Sequence, residues 1–229
     1  MEINADFSQR VVVHTAELEW KESPMQGVHR RMLDRVGGEV ARATSIVRYA
    51  PNSKFSAHVH TGGEEFIVLE GVFQDEHGDF PAGSYIRNPP QSRHTPGSDE
   101  GCIIFVKLWQ FDLNDRTPIR TTMDNTGTVQ DADRSNVSVG TLFADERETV
   151  RLEHWAANSD ISVDASQGAE ILVLDGSFSE GGDTLQPQSW MRLPCGYTFT
   201  AMTGSVGARV WVKTGHVQFA DEEVDRLPG

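Results

Sequence analysis

Apolar positions along the chain fall into short runs separated by turn residues. Ala43 to Tyr49, Glu65 to Glu70, Ile103 to Trp109 and Val210 to Lys213 are brief and rich in β-branched or aromatic residues, the composition of strands on a half-buried surface. Gly37-Gly38, Pro51-Asn52, Gly62-Gly63, His77-Gly78-Asp79 and Gly181-Gly182-Asp183 punctuate them. Val28 to Val36 admits a helical spacing of its Arg and Leu residues. The Val36-Gly37-Gly38-Glu39 turn that follows makes it instead the first arm of a hairpin, and a strand is expected. So many short strands predict an all-β protein built as a sandwich, jelly roll or small barrel.

The pattern occurs twice. A shift of 105 lays Glu65-Phe-Ile-Val-Leu-Glu-Gly-Val-Phe73 on Glu170-Ile-Leu-Val-Leu-Asp-Gly-Ser-Phe178, and Tyr85-Ile-Arg-Asn-Pro89 on Trp190-Met-Arg-Leu-Pro194. The same shift places Arg42 and Thr44 on Arg147 and Thr149; with one inserted residue, Gly101 to Lys107 matches Gly207 to Lys213. A period this long exceeds that of solenoid repeats and implies a duplicated domain. The expected organisation is an N-terminal arm over 1–24, a first domain over 25–115, a linker over 116–138 and a second domain over 139–229. The arm's Val11-Val12-Val13 and Leu18 to Trp20 are apolar enough to pack, and an added strand on the second domain is expected.

Charge narrows the classes of partner. A net charge of −14 and a pI near 4.9 exclude the clustered positive surface that a nucleic-acid or anionic-membrane binder requires. Apolar runs such as Cys102 to Val106 fall far short of the roughly 18–20 residues that span a bilayer. The first residues form neither a basic nor an apolar leader segment, so a cytoplasmic location is expected. Two cysteines, Cys102 and Cys195, are too few for a disulfide framework or a Cys-based zinc site, and both read as packing residues.

One constellation carries chemistry. His58-Val-His60-Thr-Gly-Gly-Glu64 is followed 30 residues after Glu64 by His94. Alternation along a strand sends His58 and His60 to one face, the Gly62-Gly63 turn brings Glu64 back toward them, and His94 closes the set from another strand. Three imidazoles and a carboxylate suit a divalent iron, manganese, nickel, copper or zinc ion and suit calcium or magnesium poorly.

The pattern His-x-His-x3-Glu-x6-Gly, ending at Gly71 and followed by Pro81-Ala-Gly83 and His94, resembles the two motifs of the cupin superfamily. The strings His60 to Asp79, Gly83 to Pro96 and Gly101 to Gln110 look more narrowly like the cupin-like domain of ChrR-type anti-sigma factors. This resemblance is clear over 25–115 and weak in the second domain. It implies two tandem cupin (double-stranded β-helix) barrels and a metal held by His58, His60, Glu64 and His94, with zinc foremost and iron, manganese or nickel as alternatives. The sigma-binding His-x3-Cys-x2-Cys module of those factors has no counterpart in this sequence.

Under the 105 shift the four candidate ligands become Val163, Ala165, Ala169 and Phe199, whereas Gly71, Arg87 and Pro89 recur as Gly176, Arg192 and Pro194. The first set therefore acts as a unit and the second set builds the fold, so the second barrel is expected to be packed and metal-free. Arg87 reads as structural, and Glu65, which recurs as Glu170, points away from the ligands. Asp75, Glu76, His77 and Asp79 read as solvated charge at a hairpin tip. His14, His29, His154 and His216 lack ligand spacing. No residue is assigned a catalytic role. The resemblance favours a ligand- or redox-responsive regulatory module with a protein partner; the alternative is an iron- or manganese-dependent dioxygenase or isomerase acting on a small oxygen-chelating substrate. A homodimer is expected in either case.

Overall fold

The computed structural model describes residues 1–228, which are almost entirely β, with one short helix, Ala220–Asp225. The chain forms two compact units. The first comprises 1–5, 19–124 and 222–228, and the second comprises 6–18 and 125–221. Among the described residues no helix is long and apolar enough to cross a membrane.

Both units are built to one plan. In the first, the strand order is Glu2–Ile3, Val28–Gly37, Ala41–Tyr49, Cys102–Leu108, Glu64–Asp75, Ser84–Asn88, Ile119–Thr122. In the second it is Val129–Gln130, Val137–Ala144, Thr149–Trp155, Tyr197–Thr214, Ala169–Glu180, Ser189–Leu193, Val11–His14. Every pairing along these paths is antiparallel. Two tandem cupin-type barrels result, and Val28–Gly37 is a strand as its hairpin turn requires.

The arm is shared: Val11–His14 pairs with Ser189–Leu193 in the second unit, whereas Glu2–Ile3 and Lys21–Glu22 pair with Val28–Gly37 in the first. The stretch read as a linker contributes strands as well. Ile119–Thr122 pairs with Ser84–Asn88 in the first unit and Val129–Gln130 with Val137–Ala144 in the second. An unpaired sheet edge leaves a row of backbone donors and acceptors open, and even a polar segment with a few β-formers such as Ile119, Thr121 and Thr122 gains by closing it.

Sheet register corrects one part of the repeat. Lys107 lies opposite Thr44, whereas Lys213 lies opposite Val150. The residue inserted before Gly207 is thus matched by one before Thr149, so Thr44 corresponds to Val150 and Arg42 to Glu148. Between these strands the offset of 105 holds: Val68 faces Ile104 as Val173 faces Val210.

The shared framework is buried and polar. Arg87 and Arg192 are fully enclosed; the first pairs with Asp115 at 2.9 Å and stacks on Phe111, and the second donates to the Asp6 carbonyl at 2.9 Å and stacks on Phe7. Glu65 accepts the Tyr85 hydroxyl at 2.6 Å where Glu170 accepts the Trp190 indole N–H at 3.0 Å, so both glutamates are structural. Gly71 and Gly176 have φ of 70° and 71°, and a Cβ on either would stand 2.1 Å from the carbonyl oxygen of Gly101 or Gly207. Only glycine fits both the left-handed backbone and that approach. Cys102 packs in the first core as expected; Cys195 is exposed, because it lies in the turn after Ser189–Leu193, not on the strand.

Candidate metal centre

His58–His60 and Ser92–His94 are short antiparallel partners in which His94 stands directly opposite His58. His60, two residues from His58, shares its face. The three imidazole centroids lie 4.6–5.0 Å apart, and one nitrogen from each falls within 4.8 Å of the others. Among the described residues this is the single cluster of its kind. Glu64 opens the strand after the Gly62-Gly63 turn, and its Oε2 lies 3.4 Å from His60 Nε2 and 3.7 Å from His94 Nε2.

The rings are held from behind. The Nδ1 of His58 contacts the Ser56 carbonyl at 3.2 Å, and that of His94 contacts the Asp75 carboxylate at 3.2 Å. Each contact fixes the tautomer that leaves Nε2 bare toward the cluster. Asp75 is therefore no solvated tip residue: its side chain is 1% exposed, because the hairpin folds it under His94. Glu64 accepts from Asn88 Nδ2 at 3.1 Å, and Asn88 accepts from Arg120 at 3.4 Å. Burial, with the neighbouring His94 and His58, holds His60 below the ordinary imidazole range despite Glu64. Burial lowers His94 too, but the Asp75 hydrogen bond and the surrounding carboxylates outweigh it and leave His94 raised.

The donor set fits a divalent transition metal on an observation independent of motif. His60 Nε2 is buried without a hydrogen-bond partner, 3.4 Å from Glu64 Oε2, which leaves its lone pair available to an ion. His58 is exposed, so the cluster is reached from solvent, and a cavity of about 290 Å³ lies against His58, His60 and Glu64.

The second unit preserves the scaffold of this site without its chemistry. Val163 faces Phe199 across the strands as His58 faces His94. Val163, Ala165, Ala169 and Phe199 are all buried in one apolar cluster. Phe178 lies 6.0 Å from Phe199, where Phe73 lies 5.7 Å from His94.

Residues 8–112 match the family model of the ChrR cupin-like domain. The chain carries a cupin domain resembling that of ChrR. Solved structures support the cupin fold over about nine-tenths of the chain. A putative dioxygenase from Nostoc punctiforme PCC 73102 is 15% identical with a TM-score of 0.75, covering 92% of this chain and 84% of that one. YlbA from Escherichia coli is 13% identical with a TM-score of 0.68, covering 91% of each chain. The bacterial pirin YhhW from Escherichia coli, solved in complex with nickel(II), is 13% identical with a TM-score of 0.63, covering 90% of this chain and 98% of that one. No curated protein matches the chain by sequence.

Register also exposes residues that sequence reasoning passed over. Trp109 has φ 60° and donates its backbone N–H to the Gly63 carbonyl at 3.2 Å; Gly215 has φ 93° and makes the matching bond to Gly168 at 3.1 Å. The second barrel uses glycine at this left-handed position, and the first carries a tryptophan there despite the strain. Its indole covers Gly62, where a Cβ would stand 2.1 Å from the ring. The insertion that lays Gly101 to Lys107 on Gly207 to Lys213, carried two residues further, lays Trp109 on Gly215 and was the signal that could have singled it out.

Proposed function

We propose that the first barrel holds one divalent transition metal through His58, His60, His94 and Glu64, and that this centre acts on a small oxygen-bearing ligand as a metal-dependent cupin enzyme of the dioxygenase or isomerase class. The observation that carries the reading is the solvent-reached cavity against three of these four residues. A purely structural ion would be expected in a closed site, whereas a catalytic one keeps a position open. When bound, the metal supplies Lewis acidity and a template for the ligand.

The chain's own groups do the rest. Ser56 and Asp75 orient two of the imidazoles, and Asn88 holds the Glu64 carboxylate by one oxygen. Trp109 adds an aromatic ring to the lining of the same cavity. The charges of Glu64 and Asp75 lower the cost of placing a dication here.

A second reading, a ligand-responsive regulatory module with a protein partner, draws support from the ChrR cupin-like match over 8–112. The two differ in turnover. Protein loaded separately with iron, manganese, nickel and zinc is mixed with small oxygen-chelating compounds while dioxygen uptake and product formation are followed. Metal-dependent turnover that vanishes in His60→Ala supports the enzyme; saturable binding without turnover for any metal contradicts it and favours the regulatory module.

A further inference from the structure

The strand Val28–Gly37 places two cations inside the first barrel. Arg30 lies opposite Val47 and Arg35 opposite Ala43, and across this pairing facing residues share a side; Val47 belongs to the barrel core. Both arginines line the cavity that His58, His60, Glu64 and Trp109 also line.

Among the described residues neither cation has a carboxylate in ion-pair contact. Arg30 donates to the Ser23 hydroxyl at 2.8 Å, and Arg35 donates to the Gly38 carbonyl. Arg35 is only 9% exposed. Burial, then the Arg30 charge, pulls its guanidinium below the ordinary value. Glu39, the other acid of the lining besides Glu64, is exposed. A buried cation without a counter-charge is costly unless something else supplies one.

The second barrel again separates fold from function. In register, Arg30 corresponds to Val139, which faces Glu153 in the strand that answers Ala41–Tyr49, and Arg35 corresponds to Ala144, which faces Thr149. Both arginines are lost together with the four candidate ligands, while the structural Arg87 survives as Arg192. The two guanidiniums thus occur in the barrel that has the histidine cluster and not at the matching places of the other.

We infer that this cavity binds a small organic carboxylate, with the anionic group on Arg35 and Arg30 and the rest of the molecule against Trp109 and the metal cluster. The fork of a guanidinium matches a carboxylate, and a cavity of about 290 Å³ admits only a small molecule. The inference rests on the metal reading above and adds the class of ligand to it.

The test is calorimetric titration of the full-length, manganese-loaded chain with glyoxylate, pyruvate, malonate and succinate, with the neutral amide of each, and with inorganic phosphate. Metal content is measured on every sample. At least one carboxylate is expected to bind saturably and its amide about tenfold or more weakly. Arg35→Gln and Arg30→Gln should each lower that affinity about ten- to a hundred-fold at unchanged metal content. Arg35→Lys should recover part of the loss, which separates charge from folding. Absence of binding by every carboxylate, tighter binding of phosphate than of any carboxylate, or wild-type affinity in fully metallated Arg35→Gln would overturn the proposal. Protein that takes up no metal sinks the metal reading alone. There an Arg35-dependent carboxylate affinity still supports the anion site, and its absence overturns it.

Discussion

The two barrels share strand order, cross-strand register and the two left-handed glycines, and they differ where the first barrel's interior meets solvent. His58 faces His94 in one and Val163 faces Phe199 in the other, on matching strands. The comparison teaches that the scaffold does not need the imidazoles: apolar side chains at the same places give a close-packed core around Trp155, Phe178 and Phe199. In the first barrel the same space is polar, with a buried His60 nitrogen that has no hydrogen-bond partner and two arginines that, among the described residues, have no carboxylate partner. Such a site gives up packing stability for chemistry, the usual position of functional residues.

That contrast can be broken most severely at the shared glycines. Gly71→Ala and Gly176→Ala should each destabilise their barrel by more than about 2 kcal/mol, since both the φ and the carbonyl contact are intolerant. Denaturant unfolding checks this, and a loss confined to one of the two would show that the barrels are not equivalent there. Phe199→Ala should cost about 3–5 kcal/mol by opening a cavity in the second core while leaving metal content untouched. Its positional counterpart, His94→Ala, should do the reverse, costing metal far more than stability. Equal metal loss in the two variants would dissolve the distinction between the barrels.

Smaller effects sharpen the account. Asp75→Asn keeps the shape beneath His94 but removes the charge, and should weaken metal affinity about 10- to 100-fold in competition with a chelator. The smallest effect concerns Cys102, whose thiol burial pushes from 9.0 up to about 11. The folded state then holds this proton more tightly than the unfolded chain. Stability from the neutral thiol is thus fully present below pH 9.0 and is lost as pH rises toward about 11. Unfolding measured across this window should show a decline that Cys102→Ala lessens. Exposed Cys195 should react with a maleimide in the native state while Cys102 stays protected.

Much of this was legible from sequence for identifiable reasons. Period-two alternation put His58 and His60 on one face, and the Gly62-Gly63 turn returned Glu64 to them, because both are local rules of strand geometry. The duplication itself distinguished Arg87 as structural, since the arginine outlived the ligands at Arg192. What escaped depended on non-local pairing. Asp75 looked like a solvated tip residue because only the folded hairpin tucks it beneath His94. Ile119–Thr122 looked like linker because its partner strand lies more than thirty residues earlier. Arg30 and Arg35 were hidden because their strand matches the second barrel at a shift of 109, which only the sheet register reveals, and Trp109 because the one-residue insertion before Gly207 has to be carried past Lys107 to lay it on Gly215.

The central claim is that the first barrel holds a metal and the second does not. Elemental analysis of anaerobically purified wild-type chain, beside His60→Ala and Phe199→Ala, tests it most directly. The account predicts one transition-metal ion per chain in wild type and Phe199→Ala and a loss of most of it in His60→Ala. Wild-type protein without stoichiometric metal, or full metal retained by His60→Ala, would contradict it.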